Sequence, residues 1–122
     1  MAQQHKTLSQ ERWNGFSFFF QMANIGSEVE RAIKWKNKNS KEDSQLSLYR
    51  ALELIDLTIS DPKNRKRLFE IVRGREFLLD YFLGKNQYGY TDKAWQDYFY
   101  NFAYANAISE IGLPRLGLDK SF

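Results

Sequence analysis

Carboxylates recur in the helical stretches of this chain where they could gather. Glu28, Glu53, Asp56, Glu76 and Asp80 fall near the middle of three such stretches, and two or more of them facing inward would form a site able to hold Mg²⁺. Their spacing matches no metal motif, so a metal or small-ligand site among them is an alternative reading only. Arg75 is more specific. Counting 68, 72, 75, 79, 82 places it on an apolar seam, where an unpaired charge is expensive and a carboxylate partner is required. Glu53 or Asp56 is the expected partner, inside the bundle or at its edge, with Arg31 or Arg50 as further members of a structural ion pair that fixes helix register. No catalytic residue is assigned, no metal or cofactor is called for, and the chain reads as a binding protein rather than an enzyme.

Other reactive constellations are thin. The single histidine, His5, lies in a polar N-terminal stretch, so a Ser-His-Asp arrangement, a Glu-x-x-His di-iron site and a two-histidine metal site are unsupported. Arg73 and Arg75 are followed by no histidine, which removes the arginine–histidine pair used by helical ribonucleases. Gly84 and Gly89 flank a polar turn, without the strand-to-helix setting of a phosphate loop. With no cysteine there is no thiolate nucleophile, disulfide framework or zinc knuckle, in keeping with a reducing, cytoplasmic setting.

The basic residues fall in two groups. Lys34, Lys36, Lys38 and Lys41 surround the exit of the first helix and are interleaved with Trp35, Asn37 and Asn39, a composition that single-stranded RNA can use by stacking and phosphate contact. Lys63, Arg65, Lys66 and Arg67 open the third helix. In an antiparallel layout they share an end with Lys6, Arg12, Arg115 and Lys120, a patch able to neutralise several phosphates of RNA or DNA. The net charge of +3 is a mild excess compatible with an anionic partner. Each group also fits a merely solvated charged end.

Four helices must position these residues. At 122 residues the chain is the size of one ordinary domain, with a polar N-terminal arm over 1–9 and an irregular C-terminal arm over 113–122. The N-terminal arm has no apolar signal core, and no apolar run approaches the roughly 20 residues of a membrane span, so neither export nor a membrane is expected. Helix one is predicted over 11–36, with Gly15 and Gly26 inside it at roughly 1 kcal/mol each unless close packing needs them. Helix two runs from the Ser40 cap, followed by Glu42 and Asp43, to about residue 60. Asp61-Pro62 caps and opens helix three, which stops at Gly84, and Thr91-Asp92 opens helix four, which ends before Gly112. Short connections between such helices predict an all-α, antiparallel up-and-down four-helix bundle. Its expected core seams are Leu48, Leu52, Ile55 and Ile59; Leu68, Val72, Leu79 and Phe82; and Trp95, Phe99 and Phe102.

Helix one is apolar on two opposite sides. Trp13, Phe16, Phe20 and Ala23 lie on one, and Phe18, Met22, Ile25, Val29 and Ile33 on the other. Tyr100 and Tyr104 repeat that pattern by facing away from Tyr98 and Phe102. One core absorbs one side, so Trp13, Phe16, Phe20, Tyr100 and Tyr104 are expected to meet a second copy of the chain.

The stretch Asn24-Ile25-Gly26-Ser27-Glu28, Arg31, Ser40-Lys41-Glu42-Asp43 and Arg50-Ala51-Leu52-Glu53-Leu54 resembles the four-helix-bundle proteins encoded in intervening sequences of bacterial ribosomal RNA genes. Accessory variability proteins of diversity-generating retroelements share that pattern. The resemblance covers mainly residues 25–59. It implies a small basic bundle assembling as a homo-oligomeric ring, often a pentamer, that binds RNA or a reverse transcriptase, with no catalytic residues to carry over. The sequence is thus read as an oligomeric binding or scaffold protein whose partner is nucleic acid or a ribonucleoprotein. A purely structural homo-oligomer with a protein partner is the alternative.

Overall fold

The computed structural model describes residues 8–111. His5, Lys6, Arg115, Lys120 and most of the two expected arms lie outside the described residues. Within them every element is helical: α1 (Gln10–Asn14), α2 (Phe18–Asn37), α3 (Lys41–Ile59), a 3-10 turn (Pro62–Arg67), α4 (Leu68–Leu83) and α5 (Asp92–Ile111). The all-α class is as predicted. α2 packs against both α3 and α5, and α4 packs on α3.

The single first helix is corrected to two. Gly15 closes α1 with its N–H on the Arg12 carbonyl at 3.1 Å, and Ser17 opens α2 by accepting the Phe20 N–H at 3.1 Å. A glycine two residues before a serine offers both a cheap stop and a new cap, and together they outweigh continuity. The break turns Trp13 back onto the end of α3, where it is 3% exposed and donates its indole N–H to Thr58 Oγ1 at 2.9 Å. Trp13 is therefore core and not an intersubunit residue. Phe16 and Phe20 are half-buried and stack on each other at 4.3 Å between ring centroids. Only Tyr100 and Tyr104 of the expected interface are exposed, stacked at 6.2 Å.

A buried polar network locks this end. Gln21 is fully buried and donates to the Trp13 carbonyl at 2.9 Å and to Asp61 at 2.8 Å, while Asn64 donates to Gln21 at 2.9 Å and to the Thr58 carbonyl at 3.0 Å. Buried amides are tolerated when satisfied in this way. Burial alone would push the Asp61 carboxyl up, but hydrogen bonds from Lys63 and Gln21 outweigh it and hold its pKa below the ordinary aspartate value. Asp61 also caps the 3-10 turn by accepting the Lys63 N–H at 3.1 Å. The predicted start of helix three is thus right in place but 3-10 in kind for its first six residues.

That entry sets the roll of α4. Ile71 and Leu78 enter the core, whereas Leu68, at 39% exposed, and Val72 face outward. The predicted seam of helix three is corrected at Leu68 and Val72, while Leu79 and Phe82 pack against the core as expected. The α4 sequence is apolar on two stripes, and a turn advancing about 120° per residue rather than 100° decides which one meets α3. The other core seams are largely as expected, with Leu48, Leu52, Ile55, Trp95 and Phe99 buried. Gly26 is where α2 and α5 meet most tightly: a Cβ there would lie 2.7 Å from Phe99 Cβ. Ser40 precedes α3, yet its hydroxyl bonds Asp43 at 2.7 Å and caps no backbone N–H.

Candidate nucleic-acid interface

The expected cations divide by what already holds them. Lys63 folds back on Asp61 and donates to the Asn14 carbonyl at 3.0 Å, so it serves the buried network. Arg67 lies over the Phe18 ring at 4.5 Å and meets Glu70 at 3.4 Å. Arg65 and Lys66 are exposed, and no ion pair with a described residue engages them. At the other end Lys36 donates to Asp92 at 2.7 Å and to Tyr81 at 3.0 Å, while Tyr81 makes a very short bond to Asp92 and Asn37 donates to Asp92 at 3.0 Å. Burial opposes the Lys36 charge, but those two hydrogen bonds exceed it and keep its pKa above the ordinary lysine value. Burial likewise pushes the Tyr81 hydroxyl up, and its bond to Asp92 adds to that. Lys36 is therefore a bridge between α2 and α5 and not a free phosphate contact. Lys38 lies 5.5 Å over the Trp35 ring, and Lys34 is exposed. Lys41 is likewise exposed, so Lys34 and Lys41 at this end, and Arg65 and Lys66 at the 3-10 end, are in no ion pair with a described residue.

Aromatic residues follow the 3-10 pair in the chain. Phe69 is 76% exposed, and Phe69, Arg73 and Phe77 recur at four-residue intervals, one stripe of α4. The Arg73 guanidinium sits 5.7 Å from the Phe69 ring centre and 5.0 Å from that of Phe77. α4 and α5 are joined through side chains: Phe77 meets Tyr90 at 5.2 Å, Tyr90 meets Trp95 at 4.6 Å, and Tyr98 donates to Glu70 at 2.6 Å. Burial and that bond to Glu70 push the Tyr98 hydroxyl far above the ordinary tyrosine value, so it stays a donor at any physiological pH. Between the two helices lies a groove of about 490 Å³ walled by Phe69, Arg73, Phe77, Tyr90, Trp95 and Tyr98, with Glu70 and Gly74 between them. The buried Trp95 indole N–H finds no acceptor among the described residues.

The carboxylates disperse. Glu28 is held by Arg31 at 3.1 Å and Arg50 at 3.4 Å, and Asp80 accepts the Tyr88 N–H at 3.2 Å. Arg75 pairs with Asp56 at 2.8 Å, one of its two candidate partners, and does so at the edge, with side chains 33% and 57% exposed. Glu53 lies near Asp56, and Arg31 and Arg50 serve Glu28 instead of this pair. No group of three or more metal-capable side chains forms among the described residues.

Sequence reasoning missed the groove. Its signal was the Phe69-Arg73-Phe77 spacing, masked because Leu68 and Val72 offered a competing stripe. No helix among the described residues is long and apolar enough to cross a membrane. Comparison of the chain with protein-family models, curated proteins and solved structures gave no match.

Proposed function

We propose that this chain is a small non-catalytic binding protein whose partner is single-stranded nucleic acid, bound at the 3-10 turn and the adjoining face of α4. The observation carrying this is that Arg65 and Lys66, exposed and in no ion pair with a described residue, lie within four positions of Phe69, which is exposed beside Arg73. Cations that track phosphates next to rings that stack on bases are the two components of sequence-tolerant single-strand binding. In this account α2 to α5 form an antiparallel up-and-down four-helix bundle that presents the face. Copies associate through the exposed Tyr100–Tyr104 pair, which multiplies it.

The test is fluorescence anisotropy of labelled 12-nucleotide RNA and DNA strands across a salt series, with solution mass followed by light scattering. Arg65 and Lys66 amount to about two phosphate contacts per copy, so log affinity should fall with log salt at a slope of about −1.4. The Arg65→Glu/Lys66→Glu double variant should bind at least tenfold more weakly, about 1.4 kcal/mol. Binding that ignores both salt and charge reversal refutes a role for this end. A native mass equal to one chain refutes the association through Tyr100 and Tyr104.

A further inference from the structure

We infer that the α4–α5 groove captures one unstacked guanine of the bound strand. This rests on the single-strand binding proposed above and adds what the groove recognises. Its volume of about 490 Å³ accommodates a purine with part of its sugar, and its first lining residue, Phe69, follows Arg65 and Lys66 by no more than four positions in the chain. Phe69 supplies a largely exposed ring and the Arg73 guanidinium a planar cation against a base, while Phe77 and Tyr90, packed on each other, form the wall.

Gly74 keeps the space open. A glycine inside a helix is destabilising relative to alanine, and the usual structural reason for one is a neighbour too close for a Cβ. Gly26 has that reason in Phe99; a Cβ at Gly74 would meet nothing within 4 Å. The space over Gly74 belongs to the groove and is taken by no other part of the described chain.

Glu70 selects the base. Its two oxygens offer about four lone-pair positions, of which Tyr98 takes one on Oε2 at 2.6 Å and Arg67 one on Oε1 at 3.4 Å. Acceptor capacity therefore remains on both oxygens of a carboxylate that lines the groove. Guanine presents two adjacent donors, N1–H and the N2 amino group, which match a carboxylate bidentately. Adenine presents an acceptor at N1 beside its amino group, which a carboxylate repels.

The experiment measures anisotropy of uridine 12-mers carrying one central guanine, inosine or adenine, and of the corresponding DNA strands, at one low salt concentration. Native protein should bind the guanine strand about tenfold more tightly than the adenine strand, with inosine, which lacks the N2 amino group, between them. Gly74→Leu fills the groove with a good helix former and should abolish the guanine preference while leaving salt-dependent binding in place. Phe69→Ala removes a largely exposed ring and should reduce affinity for every strand, with urea unfolding confirming that both variants remain folded. Glu70→Gln should erase the discrimination between guanine and adenine. Salt-dependent binding with no base preference, or a preference untouched by Gly74→Leu, overturns the pocket and leaves single-strand binding standing. Absence of binding to any strand overturns both. A matching preference in DNA and RNA assigns recognition to the base, and a preference confined to RNA adds the ribose 2′-hydroxyl to the same pocket.

Discussion

Two glycines inside helices should respond to the same substitution with opposite sign. Replacing a helix-interior glycine by alanine stabilises by about 0.8–1.0 kcal/mol where nothing else changes. Gly74→Ala meets that condition, since its new methyl group has no neighbour within 4 Å. At Gly26 the methyl carbon would lie 2.7 Å from Phe99 Cβ, 2.9 Å from Cγ and 3.1 Å from Cδ1, well inside the roughly 3.5–4.0 Å optimum for carbon contacts. Phe99 cannot yield cheaply, because it is buried and packed edge-on to Tyr98 at 5.0 Å and against Trp95 at 6.1 Å. α2 and α5 must separate instead, an overpacking cost of about 1–3 kcal/mol or more that exceeds the helix-propensity gain. The expected net change for Gly26→Ala is a loss of about 1–2 kcal/mol, so the two variants should differ by about 2–3 kcal/mol. Urea unfolding followed by circular dichroism measures this directly. With a slope of about 1–3 kcal/mol per molar, the midpoints should move in opposite directions by a few tenths of a molar or more. Gly26→Ala as stable as Gly74→Ala would refute the close approach of α2 and α5 on which the placement of Trp95 and Phe99 depends.

The Asp92 cluster should give stability an acid dependence. Burial raises the Asp92 carboxyl, but bonds from Lys36, Tyr81 and Asn37 outweigh that and leave its folded pKa below 3.8. A depressed folded pKa means stability fully present above the unfolded value and lost as pH falls through the folded one. Urea midpoints of native protein and Asp92→Asn should therefore differ most near neutrality and converge below about pH 3.8; a constant gap down to strong acid would contradict the linkage. For Lys36 the sign reverses, its contribution being present below 10.5 and lost as pH rises through its higher folded value. Arg75→Met should cost less than about 1 kcal/mol, because its pair with Asp56 is half in solvent, and a loss above 3 kcal/mol in the same assay would show the guanidinium to be buried.

Local signals set most of the helical punctuation. Asp61-Pro62, Gly84 and Thr91-Asp92 each act within one turn of themselves, through a cap, a fixed φ or a missing Cβ, so the ends of α3, α4 and α5 were legible in the sequence. The core of α3 and α5 was legible in part too, with Leu48, Leu52, Ile55, Trp95 and Phe99 buried on the expected seams. Where a helix carried two stripes, the pattern of residues did not settle which one meets the core, and the expected single first helix and the Leu68–Val72 seam were both overturned. Trp13 and Phe18 could share one long helix or sit on two. The cap at Ser17 and the acceptor on Thr58, 45 residues away, decided for two and brought the indole into the core. The two stripes of α4 were separated by the angle at which a 3-10 turn, fixed by the Gln21–Asp61–Asn64 network, delivers the chain to α3. Exposure of Phe69 and Arg73 and the groove against α5 follow from that angle. The same holds for charge: composition counted Lys36, Lys63 and Arg67 as available cations, and only the fold determined that each already has a partner within reach, leaving Arg65 and Lys66 to face solvent.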